Sequence, residues 1–222
     1  MPLSTMEFAM ISSQSNRHVR SRVGIKILLL VLTILFFNLI FNFVDGHAKT
    51  NLPDFESFIR SVQNGQTHIL RGVYAPGVFA LPVIQQPDSE WGYVSSKTNQ
   101  LTQFGMASDA GNIGLLAHNY LAGKRFNRLL PSQEIRLVYG DGLIEYFVVR
   151  NVIRYQALDS DNLYSDFLDL GTGFKITAGE LFSQVYRGER HVTFQTCISL
   201  NGDSSWGRLF VIAEPRQLLA SD

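Results

Sequence analysis

Ile27 to Val44 is apolar apart from Thr33, Asn38 and Asn42, and this run divides the chain before any other feature is considered. Eighteen helical residues at ~1.5 Å each would span roughly 27 Å, close to the hydrocarbon thickness of a bilayer. The run is apolar on every face, so it lacks the amphipathic period of a helix lying on a soluble core. Arg17, Arg20, Arg22 and Lys26 precede it and Asp45 follows, which by the positive-inside rule puts the N-terminus in the cytoplasm. The expected organisation is a cytoplasmic tail over 1–26, a transmembrane signal-anchor over 27–44, a linker with a short helix over 45–68, and an exported domain over 69–222. Gly46-His47-Ala48 ends in small residues where a signal peptidase would cut, so a cleaved signal peptide is the alternative. The run is longer than the usual apolar region of such a peptide, and the uncleaved anchor is the reading adopted.

Beyond the run, Phe55, Phe58, Ile59 and Val62 recur at helical spacing, with Asp54 placed to cap the start and Gly65 to stop the end. From about residue 69 the texture changes to short apolar and β-branched runs broken by Gly, Asn, Asp and Pro, the pattern of strands. Those runs are Val78–Ile84, Leu101–Ala107, Ile113–His118, Glu134–Tyr139, Ile144–Tyr155, Arg190–Cys197 and Leu209–Ala213. Gly140-Asp141-Gly142 between two of them signals a tight hairpin. One further helix is expected over Ala178–Arg187, because Thr177 and Glu180 stand at capping-box spacing and Gly188 closes the far end. Many short strands with few helices predict a mostly β chain, a closed or nearly closed barrel.

The formal net charge of zero hides an asymmetry. Residues 1–50 carry five Lys/Arg against Glu7 and Asp45, so the exported part is mildly acidic and offers no basic face for nucleic acid. It holds the single cysteine, Cys197, which excludes an intramolecular disulfide and leaves an unpaired thiol outside the cytoplasm. Val192, Phe194 and Thr196 alternate with Thr193, Gln195 and Cys197, which puts Cys197 at the end of a half-buried strand. Ile198–Gly207, with Asn201-Gly202, Asp203, Ser204 and Ser205, reads as a loop. Arg208 then opens the next strand, so a return pairing would bring thiol and guanidinium together. A guanidinium there favours the thiolate and can donate to a developing oxyanion.

A cysteine nucleophile needs a proton carrier, most often histidine. His18 lies before the apolar run, His47 borders it, and His68 precedes the strands without an obvious partner. His191 shares the face of Cys197, but six strand residues separate them by roughly 20 Å. His118 ends the apolar run Ile113-Gly-Leu-Leu-Ala-His118 at a strand-to-loop boundary, where functional residues concentrate.

Thr193-Phe-Gln-Thr-Cys197 resembles the sortase signature Thr-Leu-x-Thr-Cys, with Phe194 in the place of Leu. The order His118, Cys197, Arg208 matches as well, at separations of 79 and 11 positions, and Trp206-Gly-Arg208-Leu-Phe-Val is similar to the Arg strand of many sortases. The resemblance covers roughly residues 70–215. It departs at the histidine, where many sortases carry Gly-His and this chain has Leu-Ala-His-Asn. It implies a sortase-like β-barrel behind a membrane anchor, with catalytic His118, Cys197 and Arg208 and no cofactor. It further implies attack of Cys197 on a sorting motif of the Leu-Pro-x-Thr-Gly kind in secreted proteins. A thioacyl-enzyme would then be resolved by an amine from a cell-wall precursor or a pilin, at the outer face of a bacterial cell membrane. Thr196 and Trp206, close to the reacting residues in sequence, are candidates for substrate binding, and Leu158–Thr177 for a substrate-binding wall.

Weaker signals are read conservatively. Asp159, Asp161, Asp166 and Asp169 fall in one loop, and some sortases bind Ca²⁺ near the corresponding place. An EF-hand count from Asp159 meets Tyr164 where Gly is required and Leu170 where Glu is required, so a solvated acidic loop is expected. Lys124, Arg125 and Arg128 read as a solvated basic face. Two other functions stand beside the transpeptidase: a catalytically silent, membrane-tethered barrel that only binds a partner, and another Cys–His acyl-transfer enzyme of the cell wall. The second is disfavoured because L,D-transpeptidases centre on His-Gly-Cys, and papain-like wall hydrolases place Cys before His.

Overall fold

A computed structural model describes residues 52–162 and 164–217. The expected cytoplasmic tail, the expected anchor Ile27–Val44 and the start of the expected linker lie outside these residues. Among the described residues no helix is long and apolar enough to cross a membrane.

Among the described residues there are ten strands, β1 (Leu70–Ala75), β2 (Phe79–Gln85), β3 (Leu101–Phe104), β4 (Ile113–Leu116), β5 (Glu134–Tyr139), β6 (Ile144–Ala157), β7 (Phe167–Asp169), β8 (Lys175–Ile176), β9 (Val192–Leu200) and β10 (Asp203–Pro215). They order as β10-β9-β4-β3-β2-β1-β5-β6, and a further β10–β6 pairing closes these eight into a barrel. Closure removes the free sheet edges that an open β-domain must otherwise protect. β7 and β8 extend the sheet outward from β6. Pairing is antiparallel except β2 with β3 and β4 with β9. The parallel β4–β9 pair brings two segments far apart in sequence side by side.

The mostly β barrel matches the sequence pattern, with instructive differences. β1, β7 and β8 were not foreseen, because Leu70–Ala75 is interrupted by Arg71 and Gly72 and the other two are only three and two residues long. The run Leu101–Ala107 is strand only to Phe104, after which Gly105–Asp109 turns into a short helix, α2. The Gly140-Asp141-Gly142 hairpin forms, with Gly142 at φ +91° and the Asp141 carboxylate accepting from Leu143 N–H at 3.0 Å.

Alternation sorts the side chains into two cores. The barrel interior takes Leu115, Val192, Phe194, Leu209 and Val211. Phe194, fully buried, packs edge-on against Phe79 at 6.1 Å and Phe126 at 5.2 Å between ring centroids. An aromatic at this position therefore fills space that a Leu would leave. Outside the barrel, helix α3 (Ala178–Tyr186) lays Leu181, Val185 and Tyr186 over Phe210, Tyr155 and Phe167. The expected capping box is formed: Thr177 Oγ1 accepts from Glu180 N–H at 3.3 Å, and Glu180 Oε2 accepts from Thr177 N–H at 2.9 Å. Helix α1 (Phe55–Val62) starts at Asp54, whose carboxylate accepts from Ser57 N–H at 2.8 Å, and buries Phe58 and Ile59 against Val138.

Candidate active site

Cys197 does not end its strand. β9 continues through it to Leu200, and the stretch read as a loop is a hairpin turning at Asn201-Gly202, both at positive φ (51° and 87°). Two consecutive left-handed residues match the twist of a hairpin, and Asn-Gly supplies them at low steric cost. The returning strand pairs Leu200 with Asp203 and then Ile198 with Gly207, so Ser204-Ser205-Trp206 bulge out opposite Ser199 alone. Past this bulge Arg208 lies directly opposite Cys197. The bulge is what the sequence reading missed. Polar residues looked like a loop, yet they sit in a paired ladder with a local excess of residues on one strand.

On the other side of β9, the parallel ladder pairs Leu116 with Gln195 and continues with Ala117 N–H donating to Gln195 O at 3.3 Å. Cys197 and Arg208 therefore form one row across β9 and β10, with backbones about 4.8 Å apart, and His118 follows two residues after the end of the neighbouring β4. The row lies on the outer face of the barrel, since Phe194 and Leu209 on the opposite parity belong to the interior. All three side chains are partly exposed.

His118 is held by its surroundings. Its carbonyl accepts from Leu121 N–H and Gly123 N–H, both at 3.0 Å. The ring of Tyr120 stacks on the imidazole at 5.2 Å and 19°. Thr196 Oγ1 donates to Ala117 O at 2.7 Å. A side-chain carbon at Gly123 would come within 2.2 Å of that same Thr196 oxygen and 2.8 Å of His118 O, so only glycine fits there. Asn119 donates through Nδ2 to Ser199 Oγ at 2.7 Å and Ser204 O at 2.9 Å. Arg208 donates through one terminal nitrogen to Ser205 O at 2.8 Å and Gly207 O at 2.9 Å. Gly207 is itself crowded, because a Cβ there would lie 2.4 Å from Tyr155 O.

The other histidines of the described residues are arranged differently. His191 is buried, its two ring nitrogens 2.7 Å from Glu189 O and 2.9 Å from Val185 O, where it closes the C-terminal end of α3. His68 is an exposed residue at φ 59°. Of the two substrate-binding candidates, Thr196 faces inward with only 3% of its surface exposed and its hydroxyl engaged by Ala117. It has no surface to offer a ligand. Trp206 is a partly exposed member of the bulge.

A groove of about 640 Å³ runs along the outer face from Arg208, Gln195 and Leu116 toward Phe182, Tyr164 and Trp91. Its lining is mostly apolar, and Tyr164 (86% exposed) and Trp91 (57%) stand at its rim without being covered by the fold. A second hollow of about 530 Å³ shares Trp91, Met106, Tyr164 and Phe182 and reaches Asp109 and Arg187. Tyr164 and Phe167 of the 158–177 segment line the groove. Burial pushes the phenol of Tyr186, beneath the groove, well above its ordinary value, and its hydroxyl donates to Gln195 Oε1. Asp203, beside the bulge, is held below the usual carboxylate range by the Ser205 N–H, the Ser160 hydroxyl and the nearby Arg208 charge. The acidic loop uses its carboxylates locally: Asp169 accepts from Gly171 and Thr172 N–H, and Asp159 from Asp161 N–H. Arg125 and Arg128 bond Asn99 and Gly77 O.

No family model matches the sequence, and no curated protein is similar to it. Among solved structures, sortase C-1 from Actinomyces oris matches with a TM-score of 0.46 and 14% identity, over 75% of this chain and 82% of that one. Sortase A of Listeria monocytogenes gives 0.42 and 11%, over 67% and 88%. Sortase D5, a transpeptidase of Clostridium perfringens, gives 0.42 and 12%, over 73% and 88%. All three of these solved structures are sortases.

Proposed function

We propose that this chain is a sortase-like cysteine transpeptidase. One observation carries the reading: the single cysteine is paired with Arg208 across adjacent strands, beside the end of the strand that leads to His118, and Arg208 lines an apolar groove on the outside of a closed barrel. The sequence signature around Cys197 points the same way.

The chemistry follows from the groups present. A substrate peptide lies in the groove with its scissile carbonyl over Cys197. The thiolate adds to the carbonyl carbon, and Arg208, oriented by the Ser205 and Gly207 carbonyls, stabilises the oxygen as it becomes negative. His118, as imidazolium, gives its proton to the leaving amine, and the C–N bond breaks to leave a thioester on Cys197. An incoming amine then adds to the thioester, His118 takes its proton, and the thiolate departs. The new amide has the acyl group of the first substrate, and no redox change occurs. The motif cleaved is of the Leu-Pro-x-Thr-Gly kind, the acceptor is an amine of a cell-wall precursor or a pilin, and the apolar run Ile27–Val44 tethers the enzyme to the outer face of a bacterial membrane.

The test is a library of sorting-motif peptides incubated with the full-length chain in detergent and a primary amine. Transfer products that vanish in Cys197→Ala and fall at least a hundredfold in His118→Ala and Arg208→Ala are the expected result. A Cys197 thiol that reacts with alkylating reagents only after unfolding would overturn the reading and leave a tethered binding barrel in its place.

A further inference from the structure

Three separate hydrogen-bonded contacts converge on the bulge Ser204–Trp206, and two of them come from the segments that carry the reacting groups. Arg208 takes the Ser205 carbonyl at 2.8 Å. Asn119, the residue after His118, takes the Ser204 carbonyl at 2.9 Å and the Ser199 hydroxyl at 2.7 Å. The third contact is internal to the hairpin, where the Asp203 carboxylate accepts from Ser205 N–H at 2.7 Å. The segment after β4 and the β9–β10 hairpin lie 80 positions or more apart in sequence, and the Asn119 amide joins them.

We propose that Asn119 is a positioning residue that sets His118 against Cys197 by stapling its segment to the bulge. This rests on the transpeptidase reading. Upstream of His118 the chain is fixed by the β4–β9 ladder and by Thr196 on Ala117 O. Downstream, the ring that stacks on the imidazole belongs to Tyr120, which is 66% exposed and makes no side-chain hydrogen bond among the described residues. Asn119 lies between them, and its amide fixes where the chain, and so the Tyr120 ring, leaves the imidazole. Asparagine suits the task because one NH₂ group supplies two donors from a short side chain. An alanine would lose both bonds to the hairpin, and an aspartate would turn an oxygen toward the Ser204 carbonyl. The bulge is then a shared register pin: its consecutive carbonyls hold the histidine segment through Asn119 and the guanidinium of Arg208.

The experiment uses the single cysteine of the chain, so that any thiol modification reports Cys197 alone. Iodoacetamide reactivity would be followed from pH 5 to 10 for the full-length chain in detergent, and for Asn119→Ala, His118→Ala and the double variant. The expected result is a roughly three- to tenfold slower reaction of Asn119→Ala at neutral pH, its profile displaced toward that of His118→Ala, with no added effect in the double variant. Residues that act as one unit are non-additive in this way. A wild-type profile for Asn119→Ala, or an equal loss in both backgrounds, overturns the staple while leaving the His118 effect standing. A wild-type profile for His118→Ala instead overturns the pairing of His118 with Cys197, and the staple with it. Should Asn119→Ala fail to fold, Ser199→Ala removes one of the two bonds from an exposed position. It must then show a smaller displacement that also disappears in the His118→Ala background, and a wild-type profile for it counts against the staple.

Discussion

Gly123→Ala puts the geometry of the site to its most direct test. A methyl group at residue 123 would stand 2.2 Å from Thr196 Oγ1, 2.7 Å from Ala117 O and 2.8 Å from His118 O. Carbon and oxygen need roughly 3.3 Å, near the weak C–H···O contact distance, so the Thr196 hydroxyl or the 117–118 backbone must retreat by about 1 Å. The Thr196 rotamer is penned inside the barrel, which leaves the backbone beneath His118 as the part that moves. Overpacking of this kind costs about 1–3 kcal/mol. Loss of the buried Thr196–Ala117 hydrogen bond adds about 1 kcal/mol, and the reduced freedom of the unfolded chain returns about 0.4–1 kcal/mol. The net is a destabilisation of about 1–3.5 kcal/mol, or a Tm lowered by roughly 2–14 °C at about 2–4 °C per kcal/mol for a domain of this size. A misplacement of about 1 Å costs around a hundredfold in rate, so transfer should fall 10- to 100-fold even at temperatures where the variant is folded. Thermal melts and single-turnover acylation with a peptide substrate read both numbers. Gly92→Ala is the matched control, since nothing lies within 4 Å of its added carbon. A Gly123→Ala protein that melts within 1–2 °C of wild type (about the control's own scatter on the same scale) and acylates normally would refute the claim that this close approach holds His118 in place.

Two more outcomes follow from the same packing. Phe194→Leu, which restores the residue of the signature it resembles, should lower stability by about 1–2 kcal/mol, because the ring wedged between Phe79 and Phe126 is replaced by a smaller group. Transfer activity measured below the melting range should stay within about threefold (under about 0.7 kcal/mol), since the ring faces the interior and not the groove. The Glu180 carboxyl is held below its ordinary 4.5 by the Thr177 N–H and hydroxyl. A folded-state value below the unfolded one means that its contribution is present above about pH 4.5 and is lost as pH falls through the folded value. Glu180→Gln should therefore melt earlier than wild type at pH 7, with the gap closing toward pH 3. A gap that is constant across that range would show that the charge of the capping box does not matter.

How much of this was legible beforehand differs from element to element, for physical reasons. The capping box at Thr177 and Glu180 and the cap at Asp54 are local, each settled by residues three positions apart, and both formed as the spacing said. Long strands with clean alternation were equally readable. What escaped notice was set by distant partners. β7 and β8 are too short to carry a period, and they are strands only because β6 extends past the barrel to receive them. The Ser204–Trp206 bulge is invisible in sequence because a bulge is a mismatch between two strands, not a property of either. Asn119 stood in plain view beside His118, but its partners lie about 80 residues away, and an Asn at a strand end has many local uses.

The candidate site combines both kinds of information, which is why the pairing of Cys197 with Arg208 was legible and the bulge beside it was not. The choice of His118 over His191 rested on strand arithmetic, and the structure adds a second reason: the buried His191 ring is engaged by the carbonyls of Val185, in the last turn of α3, and Glu189. The pairing of Cys197 with Arg208 followed from any return of the chain after residue 197. It did not require the hairpin to be drawn correctly, because a loop of ten residues and a bulged two-residue turn both return Arg208 to the same row. Thr196 shows the opposite case. Its place beside the nucleophile in sequence suggested contact with substrate, yet strand alternation, applied strictly, turns every neighbour of an outward Cys197 toward the interior. Thr196 and Ile198 had to point inward for the same reason that Cys197 points outward. In a strand-borne site the residues that touch substrate lie two positions from the nucleophile or across from it on the next strand. Gln195 and Arg208 meet that condition, and both line the groove.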